Sequence, residues 1–251
     1  MINQKVICIH QPPFAPWLGI VESMFASDSF IIFDDVQFER GGYQNRNRIK
    51  SIKGSEWLTI PVNLDFGTQL NTVRIAENYS ANSLIKTLRS SYGKSIFFNQ
   101  VMPDLERILC SYKSGNLLCD LNVEILMWIS NVLKCSCEFI YSSSLQITYY
   151  DRIDRIGKIC SKLGATHLYS GSGMLGYCNP EDILKQGVIP IFHNYQNRHI
   201  VYNQRFTEKG FIPCLSVLDL FFNIGYNQSS ELLKQSANKI LKEALKLNTI
   251  Y

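Results

Sequence analysis

Short apolar segments that end in polar residues constrain the fold of this chain more than any other feature of its sequence. Val6–His10 is rich in β-branched residues, and the apolar run 30–33 ends directly at Asp34 and Asp35. Such runs are typical of strands that are covered on both faces. Pro16 lies between the two segments, where it suits the first turn of a helix. The first part of the chain therefore predicts a strand, a helix and a second strand.

The rest of the chain continues this alternation. Further strands are predicted at residues 57–62, 72–75, 138–141, 167–171 and 188–193. Helices are predicted within a mostly helical segment from 80 to 134, and at residues 151–163, near 180, and at 215–224 and 229–247. Alternation of this kind implies parallel pairing. We predict an α/β fold: a mostly parallel sheet with helices on both faces, a helical middle segment and a helical C-terminal tail.

A length of 251 residues suits one large domain or two small lobes. We predict a single α/β domain over residues 1–251. The alternative is an N-terminal βαβ lobe with a hairpin at about 1–78, followed by a helical segment and a second α/β lobe at 79–251. No apolar run reaches the roughly 18 residues that cross a bilayer, and residues 1–12 lack the features of a signal peptide. We expect a cytoplasmic protein.

Cysteine usage and charge exclude several classes of protein. The eight cysteines include no C-x-x-C pair and lie mostly in apolar stretches, which indicates buried free thiols rather than disulfides or zinc ligands. A catalytic cysteine stays open, with Cys178 in a Gly-rich loop and Cys214 after a proline as candidates. The net charge of +4 is mild and lacks the broad basic stripe of nucleic-acid-binding proteins. We predict neither a metal site nor a nucleic-acid partner.

Three polar clusters follow predicted strands: His10-Gln11, 34–37 and Ser170-Gly171. In open parallel sheets, ligands bind beyond the carboxyl ends of the strands. If the strands share one sheet, the clusters converge on one edge and form a site. The predicted ligand-binding residues of these clusters are Asp34, Gln37, Ser170 and Gly171.

His10 and Asp35 are the candidates for a general base, and Gln11 or Asn45 for a donor to an oxyanion. The structural alternative for His10 is that it hydrogen-bonds to turn backbone. Asp34 and Asp35 are adjacent, so they point to opposite faces of an extended chain. Which of them faces the site is left open.

The segment Gln44–Arg48 alternates asparagine with arginine. Arg46 and Arg48 could bind phosphates in bidentate geometry, and Asn45 and Asn47 could bind sugar hydroxyls or a base edge; the alternative is a polar hairpin loop. Asp219, a charge inside an apolar helix, should pair with an arginine such as Arg46 or face the site. His193 and His199 are interpreted as part of a surface loop rather than a binding loop.

Taken together, these segments resemble one family over nearly the whole chain. The motifs are His10-Gln11-Pro12…Pro16-Trp17-Leu18-Gly19, Asp34-Asp35-Val36-Gln37-Phe38, Gln44-Asn45-Arg46-Asn47-Arg48-Ile49, Trp57-Leu58-Thr59-Ile60-Pro61-Val62, Tyr169-Ser170-Gly171…Tyr177 and Ser216-Val217-Leu218-Asp219…Asn223-Ile224-Gly225. They resemble the WbqC-like proteins, whose members are encoded among bacterial surface-polysaccharide and O-antigen genes. The motifs add Trp17 and Tyr177 to the predicted substrate-binding residues.

The resemblance implies an enzyme that modifies a nucleotide-linked amino sugar. The preferred reaction is transfer of an acyl or aminoacyl group to the sugar amine, from either an acyl thioester or an amino acid activated by ATP with Mg²⁺. The alternatives are a glycosyltransferase that uses Asp34 and Asp35, and a non-catalytic partner in polysaccharide assembly. The oligomeric state stays open.

Overall fold

The computed structural model describes residues 4–247. Its strands are β1 (Val6–His10), β2 (Ser29–Ile32), β3 (Arg46–Ser51), β4 (Gly54–Thr59), β5 (Val62–Asn63), β6 (Arg74–Ile75), β7 (Glu138–Tyr141), β8 (His167–Gly171) and β9 (Ile189–His193). Its helices are α1 (Leu18–Ala26), α2 (Ala81–Tyr92), α3 (Phe98–Ser111), α4 (Leu118–Val132), α5 (Arg152–Lys162), α6 (Pro180–Lys185) and α7 (Val217–Leu247). Helix α7 is interrupted at Gly225, which has a φ of 74°.

The predicted α/β fold is confirmed. A five-stranded sheet has the order β7-β2-β1-β8-β9, and each neighbouring pair in it is parallel. The middle segment is helical through α2, α3 and α4, and α7 forms the C-terminal tail. The sheet draws strands from both 1–78 and 79–251, the two segments considered as separate lobes.

Alternate side chains of the strands pack on opposite faces of the sheet, because successive residues of a strand point in opposite directions. Cys8 and Phe30 pack in a core with α1 and α4, whereas Ile7 and Ile31 pack in a second core with α5 and α6. A third core places α7 against β8 and β9. Helices therefore cover both faces, which explains why the central strands are apolar throughout.

A long insertion between β2 and β7 builds one wall of the site. Strands β3 and β4 form an antiparallel hairpin, and β5 pairs with β6. The predicted strand at 57–62 is divided between β4 and β5 at Ile60 and Pro61.

The strand order creates a change of direction beside β1. From β1 the chain crosses α1 to β2, whereas from β8 it crosses α6 to β9 on the other side. Because α1 and α6 pack on opposite faces, a crevice opens beyond the carboxyl ends of β1 and β8. Crevices of this kind are where doubly wound folds bind ligands. No helix among residues 4–247 is long and apolar enough to cross a membrane.

Candidate functional site

The loop that leaves β1 is held in an unusual backbone conformation. Ala15 has a φ of 43°, in the left-handed region that residues with a Cβ rarely adopt. Asn47 donates from Nδ2 to the carbonyl oxygen of Ala15 at 2.8 Å, and Asn122 donates to the carbonyl oxygen of Pro12 at 2.9 Å. Both asparagines are fully buried. These contacts fix the loop and hence the residues at its ends, His10 and Trp17.

One hydrogen bond of His10 defines its tautomer. Its Nδ1 lies 2.7 Å from the carbonyl oxygen of Gln11. A carbonyl oxygen can only accept a hydrogen bond, so Nδ1 carries the proton and Nε2 is unprotonated. Burial lowers the pKa of His10 below its ordinary value, although the hydrogen bond to Gln11 opposes this shift. The ring is therefore neutral near pH 7 and can accept a proton at Nε2.

An inner cavity of about 260 Å³ lies in the crevice between β1 and β8. Three predicted site residues at the strand ends, His10, Ser170 and Gly171, line it together with the predicted Trp17 and Tyr177. The indole of Trp17 contacts Tyr195 edge-on at 5.2 Å between centroids. A Cβ on Gly19 would lie 2.5 Å from the Trp17 ring, so glycine is required there.

His193 also lines the inner cavity, from the end of β9. It is 3% exposed, and its ring stacks on Tyr169 with 4.9 Å between centroids. Burial lowers the pKa of His193 to about 4, and the nearby charge of Glu22 only partly opposes this. The interpretation of His193 as a surface-loop residue is wrong, because the residue closes a buried strand of the sheet. His199 does lie in a loop, where it stacks on Phe211.

A buried ion pair lies behind His193. Glu22 of α1 has no exposed surface and accepts from Arg198 at 2.6 and 3.1 Å and from the Tyr169 hydroxyl at 3.0 Å. Ser236 donates to the same carboxylate. Every oxygen of Glu22 is thus satisfied, which a buried charge requires. The network joins α1, β8, α7 and the 195–200 segment behind the cavity.

An outer cavity of about 520 Å³ adjoins the inner one, and His10, Ser170 and Tyr177 line both. Gln11, Gln37, Glu39 and Arg152 line the outer cavity. The same four residues also line a third, more open cavity of about 400 Å³, which Arg40 borders. The three cavities therefore form one cleft, with an uncharged inner end and charged side chains toward its outer end.

Gln11 is oriented by a neighbour from the insertion. Its Oε1 accepts a hydrogen bond from the Nε2 of Gln44. The Nε2 of Gln11 is thereby the group that it can offer to a ligand in the outer cavity.

Asp34 and Asp35 lie at the end of β2 but line none of the three cavities. Asp34 is buried and accepts from Ser142 at 3.1 Å and from the Ser143 hydroxyl at 2.6 Å. Asp35 forms an ion pair with Arg155 and accepts from Ser142. Burial raises the pKa of Asp35, but the contacts with Ser142 and Arg155 outweigh it, so the pKa lies below its ordinary range. Both carboxylates connect the end of β2 to the segment that follows β7, and Asp35 also connects it to α5.

The Gln44–Arg48 segment starts β3, and its predicted binding residues are not among those that line the three cavities. The Nδ2 of Asn45 donates to the carbonyl oxygen of Ile60. Arg46 donates to the carbonyl oxygen of Gly41 and lies over the Trp57 ring at 4.3 Å. Ser216 N donates to the carbonyl oxygen of Arg48. In the structure, the segment holds the loop after β1 through the hydrogen bond from Asn47 to the carbonyl oxygen of Ala15.

Asp219 is fully buried and accepts from the hydroxyls of Tyr92 and Tyr202, each at 2.7 Å. The expectation was that it pairs with an arginine or faces the site. Instead, two tyrosines supply its hydrogen bonds, and it does not line any of the three cavities. Burial raises the pKa of Asp219, and the hydrogen bonds from the two tyrosines lower it in part. The positive charge of the buried Lys50, which donates to Gln204 and to the carbonyl oxygen of Gly210, also lowers the pKa of Asp219.

Sequence reasoning missed several residues of the cleft, among them Glu39, Arg152 and His193. Glu39 lies just beyond Gln37, so extending that polar cluster by two residues would have included it. Arg152 lies in the first turn of the helix predicted at 151–163. That helix follows a predicted strand, so its first turn lies near the carboxyl ends of the strands. His193 occupies the last position of its strand, as His10 does in β1, and this shared position was the available signal. Within residues 4–247, no group of three or more His, Cys, Asp or Glu side chains is arranged to hold a metal ion.

Comparison with known proteins adds a family to this geometry. The model of the WbqC-like protein family matches residues 11–231. The uncharacterized protein Rv1507c of Mycobacterium tuberculosis is 27% identical over 223 residues, which cover 88% of this chain and 94% of that protein. No solved structure matches.

Proposed function

This chain belongs to the WbqC-like protein family, and we propose that it is a biosynthetic enzyme that transfers an acyl or aminoacyl group to the amine of a nucleotide-linked amino sugar. The observation that carries the proposal is the state of His10. His10 ends the central strand, where the strand order of the sheet changes direction, and it lines both the inner and the outer cavity. Its Nδ1 proton is donated to the carbonyl oxygen of Gln11, which leaves Nε2 free to accept a proton. We place the activity in the cytoplasm.

The proposed step needs a base, and Nε2 of His10 is suited to this role. The amine nitrogen of the sugar attacks the acyl carbonyl carbon and forms the C–N bond, while Nε2 takes a proton from that nitrogen. The bond between the carbonyl carbon and the leaving group then breaks, and the leaving group departs with the electron pair and receives the proton from His10. The Nε2 of Gln11 is a donor for the negative charge that develops on the carbonyl oxygen.

Charged side chains of the outer cavity suit the nucleotide-linked end of the sugar. Arg152 lines the outer cavity and the third cavity, and Arg40 borders the third. Guanidinium groups bind phosphate oxygens well. Glu39 lines both cavities and is a partner for the ammonium form of the sugar amine before it loses its proton.

Acyl transfer is favoured over glycosyl transfer by the contacts of Asp34 and Asp35. The glycosyltransferase alternative would use these carboxylates, but Ser142, Ser143 and Arg155 engage both of them. The acyl donor is either a thioester or an amino acid activated by ATP with Mg²⁺.

Mass spectrometry of nucleotide-linked amino sugars, incubated with the pure protein and each donor, tests the proposal. We expect a mass gain on the sugar nucleotide with one donor class. His10→Asn keeps a donor for the Gln11 carbonyl oxygen but removes Nε2, so it should abolish the gain; His199→Asn is the matched control outside the three cavities. Binding without a mass gain from any donor would favour glycosyl transfer, and neither binding nor turnover would favour a non-catalytic partner.

A further inference from the structure

The inner cavity differs from the rest of the cleft in its charge. Among the described residues that line it, there is no lysine, arginine, aspartate or glutamate. Its polar lining residues carry hydroxyl, imidazole, amide, indole and thiol groups, and Ser23, Ser170 and Ser172 are among them. A cavity of this composition suits an uncharged polar group rather than a phosphate or a carboxylate.

His193 is a polar residue of this cavity to which the proposed reaction assigns no role. Its Nδ1 is sealed from solvent and has no hydrogen-bond partner among the described residues. A buried N–H without an acceptor costs more than a buried acceptor without a donor. The proton of the neutral ring therefore belongs on Nε2, which is the opposite tautomer to that of His10.

The Nε2 edge of His193 lies against Gly171. A Cβ built on Gly171 would lie 3.6 Å from Nε2 and 3.7 Å from Cε1. Gly171 has an extended backbone with a φ of −71°, and it lines the inner cavity beside His193. The absence of a side chain at residue 171 thus leaves the Nε2 edge of the ring uncovered.

We propose that His193 donates a hydrogen bond from Nε2 to the carbonyl oxygen of an uncharged acyl group bound in the inner cavity. His10 and His193 then offer one acceptor and one donor to the same ligand. The identity of the ligand as an acyl group rests on the proposed function; the donor role of His193 does not. His193 is thereby a specificity-determining residue that selects ligands with an acceptor oxygen.

Nitrogen NMR of the protein labelled with ¹⁵N-histidine tests the tautomers without any ligand. We expect a protonated Nδ1 in His10 and a protonated Nε2 in His193, with His10→Asn and His193→Leu used to assign the signals. A His193 ring protonated on Nδ1 would overturn the inference, because its Nε2 could then only accept.

Binding of a probe tests the ligand role. UDP-N-acetylglucosamine carries an acyl carbonyl, and UDP alone is the reference without sugar or acyl group. Gly171→Ala covers the Nε2 edge at an ordinary contact distance and should weaken binding of UDP-N-acetylglucosamine about tenfold, while binding of UDP stays the same. Gly176→Ala adds the same methyl group where no atom lies within 4 Å, so it is the matched control.

Two substitutions of His193 separate donation from packing. The Nε2 of glutamine can occupy the place of the imidazole Nε2, so His193→Gln should restore most of the affinity that His193→Leu loses. Unchanged affinity in Gly171→Ala and in His193→Leu would overturn the inference, even if acyl transfer is observed. A perturbed Nε2 signal of His193 on binding, without turnover from any donor, would sustain it and remove the proposed reaction. No binding of the probe would count against both.

Discussion

Asn47 donates a hydrogen bond from Nδ2 to the carbonyl oxygen of Ala15 at 2.8 Å, and its Oδ1 accepts from the backbone N–H of Arg48 at the same distance. Asn47 has no exposed surface. One side chain on the hairpin therefore holds the strained loop that connects His10 to α1. The Gln44–Arg48 segment therefore contributes to the site by fixing the backbone of this loop.

Asn47→Ala should lower the free energy of unfolding by about 2 to 3 kcal/mol, because the buried carbonyl of Ala15 and the partly buried N–H of Arg48 both lose this partner. Chemical denaturation measures this loss. The exposed Asn99 provides a control, since Asn99→Ala should change stability by less than about 0.5 kcal/mol. Equal stability of the two variants would contradict the supporting role of Asn47.

Much of the fold could be predicted from the sequence because the central strands are short, apolar and closed by polar residues. Glu138–Tyr141 and His167–Gly171 have the predicted bounds. The strand order was not predictable in the same way, since local periodicity carries no information about which strands become neighbours. The crevice between β1 and β8 depends on that order.

The lining of the cleft was predictable where strand ends alone determine position, as for His10, Ser170 and Gly171. The side-chain contacts of Asn47 and Asp219 depend on tertiary partners far away in sequence, which no local pattern indicates. For Asp219 these partners are Tyr92 and Tyr202. A buried polar residue in an apolar segment signals a partner, but it does not say whether that partner is a ligand or another side chain.

The ion pair of Glu22 and Arg198 should show strong coupling. Arg198→Met leaves a fully buried carboxylate with only Tyr169 and Ser236 as donors, and we expect a loss of about 3 to 5 kcal/mol in the free energy of unfolding. The double variant Glu22→Gln with Arg198→Met should lose less than Arg198→Met alone, because no charge remains buried. Denaturation of the two single variants and the double variant measures the coupling; additive losses would contradict it.

The two arginines Arg152 and Arg46 should differ in nucleotide binding. Arg152 lines the outer cavity, whereas Arg46 is held by the Gly41 carbonyl oxygen and the Trp57 ring. We expect Arg152→Gln to weaken the binding of UDP about tenfold by calorimetry, since it loses a charged donor to phosphate. Arg46→Gln should leave the affinity within about twofold. A loss of affinity in Arg46→Gln but not in Arg152→Gln would instead place the phosphate-binding site on the β3–β4 hairpin, as predicted from the sequence.

The low pKa of His193 should make the protein less stable in mild acid. Burial lowers this pKa from 6.5 to about 4 in the folded state. Between these values the unfolded chain binds a proton that the folded chain does not, so stability falls as pH decreases from 6.5 toward 4. At pH 5 this single group accounts for a loss of about 2 kcal/mol relative to pH 7.5.

Urea denaturation of the wild type and of His193→Gln at pH 7.5 and pH 5 isolates this contribution. Glutamine does not titrate, so the variant should lose about 2 kcal/mol less than the wild type between the two values. The pKa values of His10 and His167 are also lowered by burial, but both histidines are present in the two proteins and cancel in the comparison. An equal loss in both proteins would mean that His193 becomes protonated in the folded state at pH 5, and its ring would then not be the neutral donor that the inner cavity requires.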